Sequence, residues 1–255
     1  MQVAQGVEML ELPATLMNGP GTLYPTLLRD RQDAVLVDAG LPDMAQQFLE
    51  AMVRAEVPAE KLTRVIITHH DLDHIGSLGD LQRAVPHRVE VLAHADEVPY
   101  IQGERRPIKM TPEVLARMEE QMKDLPEDRR QAMRAMMEGM KSQKLIVNRT
   151  ISDGEMLPYC GGIQIIHTPG HTPGHICLYH PASKTLITGD ALVVEGGSLM
   201  PAPPFINADT PTALASLKKL AGCDIANVIA YHGGLFRDNP NRRIAEIVRD
   251  SQLKQ

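Results

Sequence analysis

The segment that most constrains this chain is a cluster of histidine and aspartate side chains directly after an apolar run. Residues 65–67 read Val-Ile-Ile and predict a buried strand, and residues 69–74 read His-His-Asp-Leu-Asp-His. Alternate side chains of extended backbone point the same way, so His69, Asp71 and Asp73 share one side. Imidazole with carboxylate is a ligand set typical of zinc, iron or manganese rather than calcium. The segment predicts a metal site at a strand end; a solvated, helix-capping loop without metal is the alternative.

Later segments place the same side-chain types after three further apolar runs. Residues 163–167 predict a strand that leads into two Pro-Gly turns, each followed by a histidine, His171 and His175. The apolar run from Thr185 ends in Gly-Asp with Asp190, and the run from Val228 ends in Tyr-His-Gly-Gly with His232. Each of these strands is therefore predicted to deliver a ligand at its end.

These residues, in this order, resemble the metallo-β-lactamase superfamily. The first motif of that family reads His-x-His-x-Asp-His, and a Pro-Gly-His segment, an Asp after Gly and a late His near Gly follow it. The resemblance runs from about Asp38 to His232 and implies an α/β fold, a four-layer αββα sandwich with its metals along one edge between two sheets. The matching positions are His69, Asp73, His74, His171, Asp190 and His232.

The family's layout implies two divalent metal ions, zinc in the first instance, as cofactors. One ion would be held by His69, Asp71 and His171, the other by Asp73, His74 and His232, with Asp190 bridging both. Asp71 departs from the pattern, because the family usually has its second His there. A carboxylate is a harder ligand than imidazole, so iron or manganese remains an alternative to zinc in that half of the centre. His70 is an alternative ligand, but its parity turns it away from His69.

Other polar residues near these motifs are interpreted as supporting or ordinary. His175 and Asp38 are expected to orient ligands by hydrogen bonding rather than to bind metal, and Asp38 could equally be a turn residue. Four further histidines fit no ligand position: His87, His94, His167 and His180.

The metals would make the chain a hydrolase. Two cations sharing Asp190 would activate a bridging water as hydroxide, and Asp73 could pass its proton to the leaving group, so Asp73 and Asp190 are the predicted catalytic residues. The expected substrate is a small molecule with a carboxylic ester or lactone, as in the acyl-homoserine lactonases of this family. Alternatives are a thioester, as in glyoxalase II, a β-lactam, a phosphotriester, or flavodiiron-like redox chemistry, which Asp71 also resembles.

Composition predicts one domain over residues 1–255, since 43% of the residues are hydrophobic and can form one sizeable core. A formal net charge of −6 gives no basic footprint for nucleic acid. The start of the chain does not read as a signal peptide, and no apolar segment is long enough for a membrane, so a cytoplasmic enzyme is expected. The cysteines, Cys160, Cys177 and Cys223, are interpreted as reduced thiols.

A helical insertion is predicted at about residues 99–145, split near Pro126. Thr111 would cap its first helix with Pro112 at the first position, and Asp124 would cap the second. Its methionines would form a lid, a homodimer face or a packed face; they include Met118, Met122, Met133, Met136, Met137 and Met140.

Elements outside the insertion follow from periodicity. Strands are predicted at residues 7–12, 22–28, 34–37, 64–67, 89–93, 163–167, 185–188 and 228–230. Helices are predicted at residues 44–55, 211–220 and 241–253, with a further helix beginning at His74 and a close backbone approach at Gly76.

Overall fold

The computed structural model describes residues 1–16, 19–123, 126, 127, 130 and 145–252. The first half of the chain supplies nine strands: β1 Gln2–Ala4, β2 Val7–Met9, β3 Leu12–Leu16, β4 Gly19–Leu23, β5 Thr26–Arg29, β6 Ala34–Val37, β7 Leu62–Ile67, β8 Glu90–His94 and β9 Arg149–Ile151. Seven of them form one sheet in the order β1-β2-β5-β6-β7-β8-β9, and β3 pairs with β4 as a separate hairpin. Strands β6 to β9 run parallel, so their carboxyl ends lie at one edge.

The second half supplies the other sheet. Its strands are β10 Met156–Leu157, β11 Ile163–His167, β12 Ile176–His180, β13 Thr185–Ile187, β14 Leu192–Glu195, β15 Ser198–Pro201, β16 Asn227–Ala230 and β17 Gly234–Phe236. The sheet order is β10-β11-β12-β13-β16-β17, and β14 pairs with β15 apart from it. Strands β13 and β16 are parallel neighbours, so the residues that follow them emerge side by side.

The helices of the described residues are α1 Ala45–Arg54, α2 Leu72–Ile75, α3 Leu78–Ala84, α4 Val98–Ile101, α5 Pro112–Lys123, α6 Thr210–Ser216 and α7 Pro240–Gln252. Short 3₁₀ turns lie at Ala59–Lys61, Ala95–Glu97, Pro181–Ser183, Pro204–Ile206 and Leu217–Gly222. Within this part of the chain, none of the helices combines the length and the apolar character needed to cross a lipid bilayer.

Strand alternation divides the core into layers. In β6, Val35 and Val37 pack between the two sheets, whereas Leu36 faces the other way, with Phe48 of α1. In β11, Ile165 packs between the sheets. Ile166 packs on the outer face, in the cluster that contains α7 side chains. Two sheets face each other with helices outside both, so the predicted four-layer αββα architecture is confirmed.

Two predicted strands are wrong in their extent. The strand predicted at residues 7–12 is divided between β2 and β3, and that at 22–28 is divided between β4 and β5. The second break lies at Tyr24 and Pro25, where proline has no N–H to continue a ladder. The N–H of Tyr24 instead donates to the carbonyl of Tyr231 at 3.0 Å, which links the first half of the chain to the second.

Two predicted helices also have different bounds in the structure. Helix α2 begins at Leu72 rather than at His74, because Asp71 is the last extended residue and its carbonyl accepts from the N–H of His74 at 2.9 Å. The helix predicted at residues 211–220 ends as α-helix at Ser216 and continues as a 3₁₀ turn. Gly76 confirms the predicted close approach, since a Cβ there would lie 2.4 Å from the backbone nitrogen of Pro42.

The insertion begins with α4 and α5. The hydroxyl of Thr111 accepts from the N–H of Val114 at 3.3 Å, which confirms the predicted cap, and Pro112 is the first residue of α5. Parts of this prediction lie outside the described residues: Asp124, Met133, Met136, Met137 and Met140, and the side chains of Met118 and Met122. The single-domain boundaries remain a prediction.

Candidate metal centre

The seven side chains predicted as metal ligands lie in two adjacent groups. Each follows a strand or lies in the loop between two strands, so that β7, β11, β13 and β16 all deliver residues to one edge. The first group is His69, Asp71, His171 and Asp190, and the second is Asp73, His74 and His232. Within each group the ligand atoms lie within 4.8 Å of one another, close enough to surround one cation.

The first group is compact. Nε2 of His171 lies 3.2 Å from Nε2 of His69 and 3.1 Å from Oδ2 of Asp71. The distance from Nε2 of His69 to that carboxylate oxygen is 3.3 Å. Asp71 therefore takes part in the first group at the position where the family usually has histidine.

Asp190 lies between the two groups and turns one oxygen toward each. Its Oδ2 is 3.4 Å from Nε2 of His171, and its Oδ1 is 3.2 Å from Nε2 of His74 and 3.5 Å from Nε2 of His232. Asp73 completes the second group, with Oδ2 3.2 Å from Nε2 of His232. A carboxylate in this position can bridge two cations.

Asp38 and Thr68 fix the orientation of two ligand rings. Nδ1 of His74 donates to Oδ2 of Asp38 at 2.9 Å, and the hydroxyl and N–H of Thr68 both donate to the same carboxylate. Nδ1 of His69 lies 3.0 Å from the hydroxyl of Thr68. With their Nδ1 atoms engaged, both rings present Nε2 to the centre. Asp38 thus makes the hydrogen bond expected of an orienting residue.

His175 contacts the backbone of a ligand rather than the centre itself. Its Nε2 accepts from the N–H of Asp190 at 3.1 Å, and its Nδ1 lies 2.9 Å from the hydroxyl of Thr168. Gly189 makes room for this contact with a φ of +47°, because a Cβ there would come within 2.8 Å of His175 Nε2. The Gly-Asp turn therefore sets where Asp190 points.

His70 belongs to a different network. Its N–H and Nδ1 both donate to Oε2 of Glu97, its Nε2 accepts from the N–H of Ile108 at 3.3 Å, and its ring stacks on Tyr100. Oε1 of Glu97 accepts from Thr172 and from the N–H of Gly174, at 2.7 Å each. Since both ring nitrogens are used, His70 does not take the place of Asp71.

The chemistry of the donor set fits metal ions. Among the described residues, Nε2 of His74 and Oδ1 of Asp190 are buried and have no hydrogen-bond partner, although they face each other. In a neutral His74, whose Nδ1 carries the proton donated to Asp38, two lone pairs would oppose each other in a buried site. Such an arrangement is costly unless a positive charge, either a proton or a metal cation, lies between the two atoms.

The second group attracts positive charge strongly. Burial disfavours the charged form of His232, yet Asp190 and Asp73 outweigh it and raise its pKa to about 10. Burial likewise opposes a charge on His74, but Asp38 and Asp190 raise its pKa well above its ordinary value. Burial disfavours ionised Asp190, yet His232 and His74 hold its pKa well below the usual range.

The first group differs, because burial and the neighbouring His74 lower the pKa of His69 well below its ordinary value. Burial would raise the pKa of Asp71, but His69, His171 and Lys109 lower it strongly. Lys109 was not among the predicted site residues, although its ammonium donates to Asp71 Oδ2 and lies 2.7 Å from Nε2 of His171. Its position in the insertion gave no motif that could have found it.

Glu97 and Asn207 were also missed; Asn207 Oδ1 accepts from Nδ1 of His171 at 3.2 Å.

A third group, His94, Asp96 and His167, lies apart from the centre. The rings of His94 and His167 stack with centroids 4.1 Å apart and an interplanar angle of 8°, so their in-plane lone pairs lie in two parallel planes. The interpretation of both histidines as ordinary stays a prediction.

A family model described as metallo-beta-lactamase superfamily matches residues 19–232, most of the chain. The chain belongs to this superfamily. A relative from Bacillus subtilis (strain 168), named "Probable metallo-hydrolase YflN", is 27% identical over 219 residues, 78% of this chain and 75% of the relative. A hydroxyacylglutathione hydrolase of Mesorhizobium japonicum is 37% identical over 86 residues, 32% of this chain and 31% of that protein.

Solved structures of the superfamily share the fold. A metallo-beta-lactamase family protein from Thermus thermophilus has a TM-score of 0.71 and 22% identity, over 99% of this chain and 81% of the other. The family and the metallo-hydrolase relative support a hydrolase-type enzyme with a divalent metal centre.

Proposed function

We propose that this superfamily member is a dinuclear metal-dependent hydrolase of carboxylic esters or lactones. The observation that carries the proposal is Asp190, whose two oxygens face the two ligand groups at 3.2 to 3.5 Å. Two divalent cations are the occupants that this bridging carboxylate fits, with zinc as the first candidate and iron or manganese as alternatives. The chemistry such a centre supplies is activation of water and polarisation of the scissile carbonyl.

The residues of the centre would then have separate roles in metal binding and in proton transfer. His69, Asp71 and His171 would hold one ion, and Asp73, His74 and His232 the other. The side chain of Asp73 is 25% exposed, whereas that of Asp190 is 6% exposed, so Asp73 is the carboxylate that an incoming substrate can reach. Its carboxylate would take the proton from the attacking water and deliver it to the leaving oxygen.

Exposed apolar side chains on the segments beside the centre suit the acyl part of a small ester or lactone. Phe205 is 85% exposed, on the 3₁₀ turn that leads to Asn207, and Ile108 is 37% exposed, next to Lys109. They support a substrate with an apolar group attached to the carbonyl.

A thioester is the second candidate substrate class. The similarity to a hydroxyacylglutathione hydrolase favours it, although it covers only 32% of this chain. The same bridging arrangement would serve either leaving group, so only turnover distinguishes the two.

The test combines metal analysis with a substrate panel. The purified protein would be analysed for metals and assayed on lactones, aryl esters, thioesters, β-lactams and phosphotriesters. Asp190→Ala would be the inactive variant and Asp224→Ala, at an exposed carboxylate, the matched control. We expect about two divalent ions per chain, with the highest kcat/KM on an ester or lactone. Full activity in Asp190→Ala, or two irons with oxygen consumption and no hydrolysis, would contradict the proposal.

A further inference from the structure

Lys109 brings a positive charge into the first ligand group from outside the metal-binding motifs. It lies between α4 and α5, and its side chain is 25% exposed. Its ammonium donates to Oδ2 of Asp71 and contacts Nε2 of His171 at 2.7 Å. These two atoms are the ones that Asp71 and His171 would offer to a metal ion.

The hydrogen bond at the other ring nitrogen of His171 makes this contact significant. Nδ1 of His171 donates to the amide oxygen of Asn207, so Nε2 carries the lone pair of the ring. That lone pair can accept a hydrogen bond from the ammonium or coordinate a cation, but it cannot do both. The ammonium and a metal ion therefore exclude each other at His171.

The backbone beside Lys109 is anchored to the segment that carries Asp71. The N–H of Ile108 donates to Nε2 of His70, whose Nδ1 is held by buried Glu97. Tyr100 stacks on the same ring with centroids 4.4 Å apart. This network keeps Lys109 next to Asp71, whatever its own side chain contacts.

We propose that Lys109 is a built-in competitor for the metal position at Asp71 and His171, so that the two halves of the centre bind metal with unequal affinity. The first ion enters the half formed by Asp73, His74 and His232. The second ion enters only when it displaces the ammonium from Asp71 and His171. The inference rests on the proposed dinuclear function and adds an order of loading to it.

The test is a zinc titration of the metal-stripped protein against a chromophoric chelator. Wild type should bind one ion tightly and a second more weakly. In Lys109→Met we expect the second step to tighten about tenfold or more, because a charge repulsion in a partly buried site is removed, while the first step stays unchanged. Lys123→Met, which removes an exposed lysine of the same insertion paired with Glu120, should titrate like wild type.

A second readout is thermal unfolding in chelator. There Lys109→Met should melt below wild type, because Asp71 loses its ammonium partner, and the difference should disappear at saturating zinc. Lys109→Gln, which keeps a neutral donor, replaces Lys109→Met if the methionine variant folds poorly. It should show the zinc-binding steps expected of Lys109→Met. Two equal steps in wild type, or an unchanged or weaker second step in both variants, would overturn the inference and leave the dinuclear function intact. Binding of no zinc by any of these proteins would overturn the proposed function and the inference with it.

Discussion

At the scale of single residues, the centre depends on side chains that hold the ligands. Asp38 has a φ of 66°, an uncommon backbone conformation for a residue with a side chain, and it is 1% exposed. Its carboxylate binds Thr68 and His74 together, so one residue sets the position of the strand end and the ring tautomer of a ligand.

Asp38→Asn tests that role. Asparagine tolerates positive φ, so the backbone should remain in place, while the amide is a poorer acceptor for Nδ1 of His74. We expect metal affinity to fall about 10- to 100-fold with the fold retained. Chelator competition measures the affinity, and circular dichroism checks the fold. Asp30→Asn, at an exposed turn carboxylate, serves as the control, and equal affinities in both variants would refute the role.

Gly189 gives a second test at this scale. Gly189→Ala adds a Cβ 2.8 Å from His175 Nε2 and 3.0 Å from the Thr68 hydroxyl, at a φ of +47°. Gly196→Ala has a similar φ of +55° with no atom within 4 Å. Gly196→Ala should lower the free energy of unfolding by about 1 kcal/mol, from backbone strain alone. Gly189→Ala should lower the free energy of unfolding clearly more and should also weaken metal binding. Urea unfolding of the two variants compares their stabilities. Equal destabilisation would show that crowding at Asp190 does not matter.

At the scale of elements, Glu97 connects three segments. It ends a 3₁₀ turn after β8, and its carboxylate accepts four hydrogen bonds, from the N–H and ring of His70, from Thr172 and from the N–H of Gly174. The motif loop after β7 and the Pro-Gly-His loop after β11 are therefore held to each other by one buried side chain, which is 0% exposed.

Glu97→Gln should destabilise the protein by about 2–4 kcal/mol at pH 7, because an amide accepts at only one of its two ends. Burial would raise the pKa of Glu97, but hydrogen bonds from His70 and Thr172 outweigh it and lower it from 4.5. Because its pKa is lower in the folded protein, the ionised carboxylate stabilises the fold at pH values above its pKa in the unfolded chain. This stabilisation is lost as pH falls through its pKa in the folded protein. The difference from wild type should therefore shrink below about pH 4.5, which urea unfolding at several pH values measures. Glu120→Gln, an exposed surface change, should show neither effect.

At the scale of the whole molecule, the candidate centre joins the two sheets. His69 to His74 follow β7 of the first sheet, whereas His171, Asp190 and His232 follow strands of the second. Ions held by both sets would cross-link the halves of the sandwich, and a ligand that binds only the folded state stabilises it.

Removal of metal should therefore lower the melting temperature of the wild-type protein. At free metal about 100 times Kd, one ion contributes about 2.7 kcal/mol to the free energy of unfolding. Asp190→Asn, which keeps the shape of the bridging residue, should melt lower with metal present and respond little to chelator, whereas exposed Asp224→Asn should respond like wild type. Differential scanning calorimetry with and without chelator gives the result. An equal response of Asp190→Asn and wild type would exclude a bridging role.

The sequence by itself determined where the ligand-bearing segments lie and which superfamily carries them. Apolar runs that stop at His69, Asp190 and His232 predict strand ends, and parallel strands bring such ends to one edge because of local backbone geometry. Alternation also predicted that His70 turns away from His69. The errors in β2 to β5 and in α2 concern ends and breaks, where proline and tertiary hydrogen bonds override the local pattern.

Only the tertiary structure decided what surrounds those ligands. The contact of Lys109 with His171 joins residues 62 apart, and Glu97 reaches Gly174 across 77 positions. Such contacts have no periodic signature, because they depend on how two sheets pack rather than on the conformation of one segment. The ligand types can be predicted from adjacent residues, whereas the charge and hydrogen bonds around them arise from distant segments that meet only when the layers close.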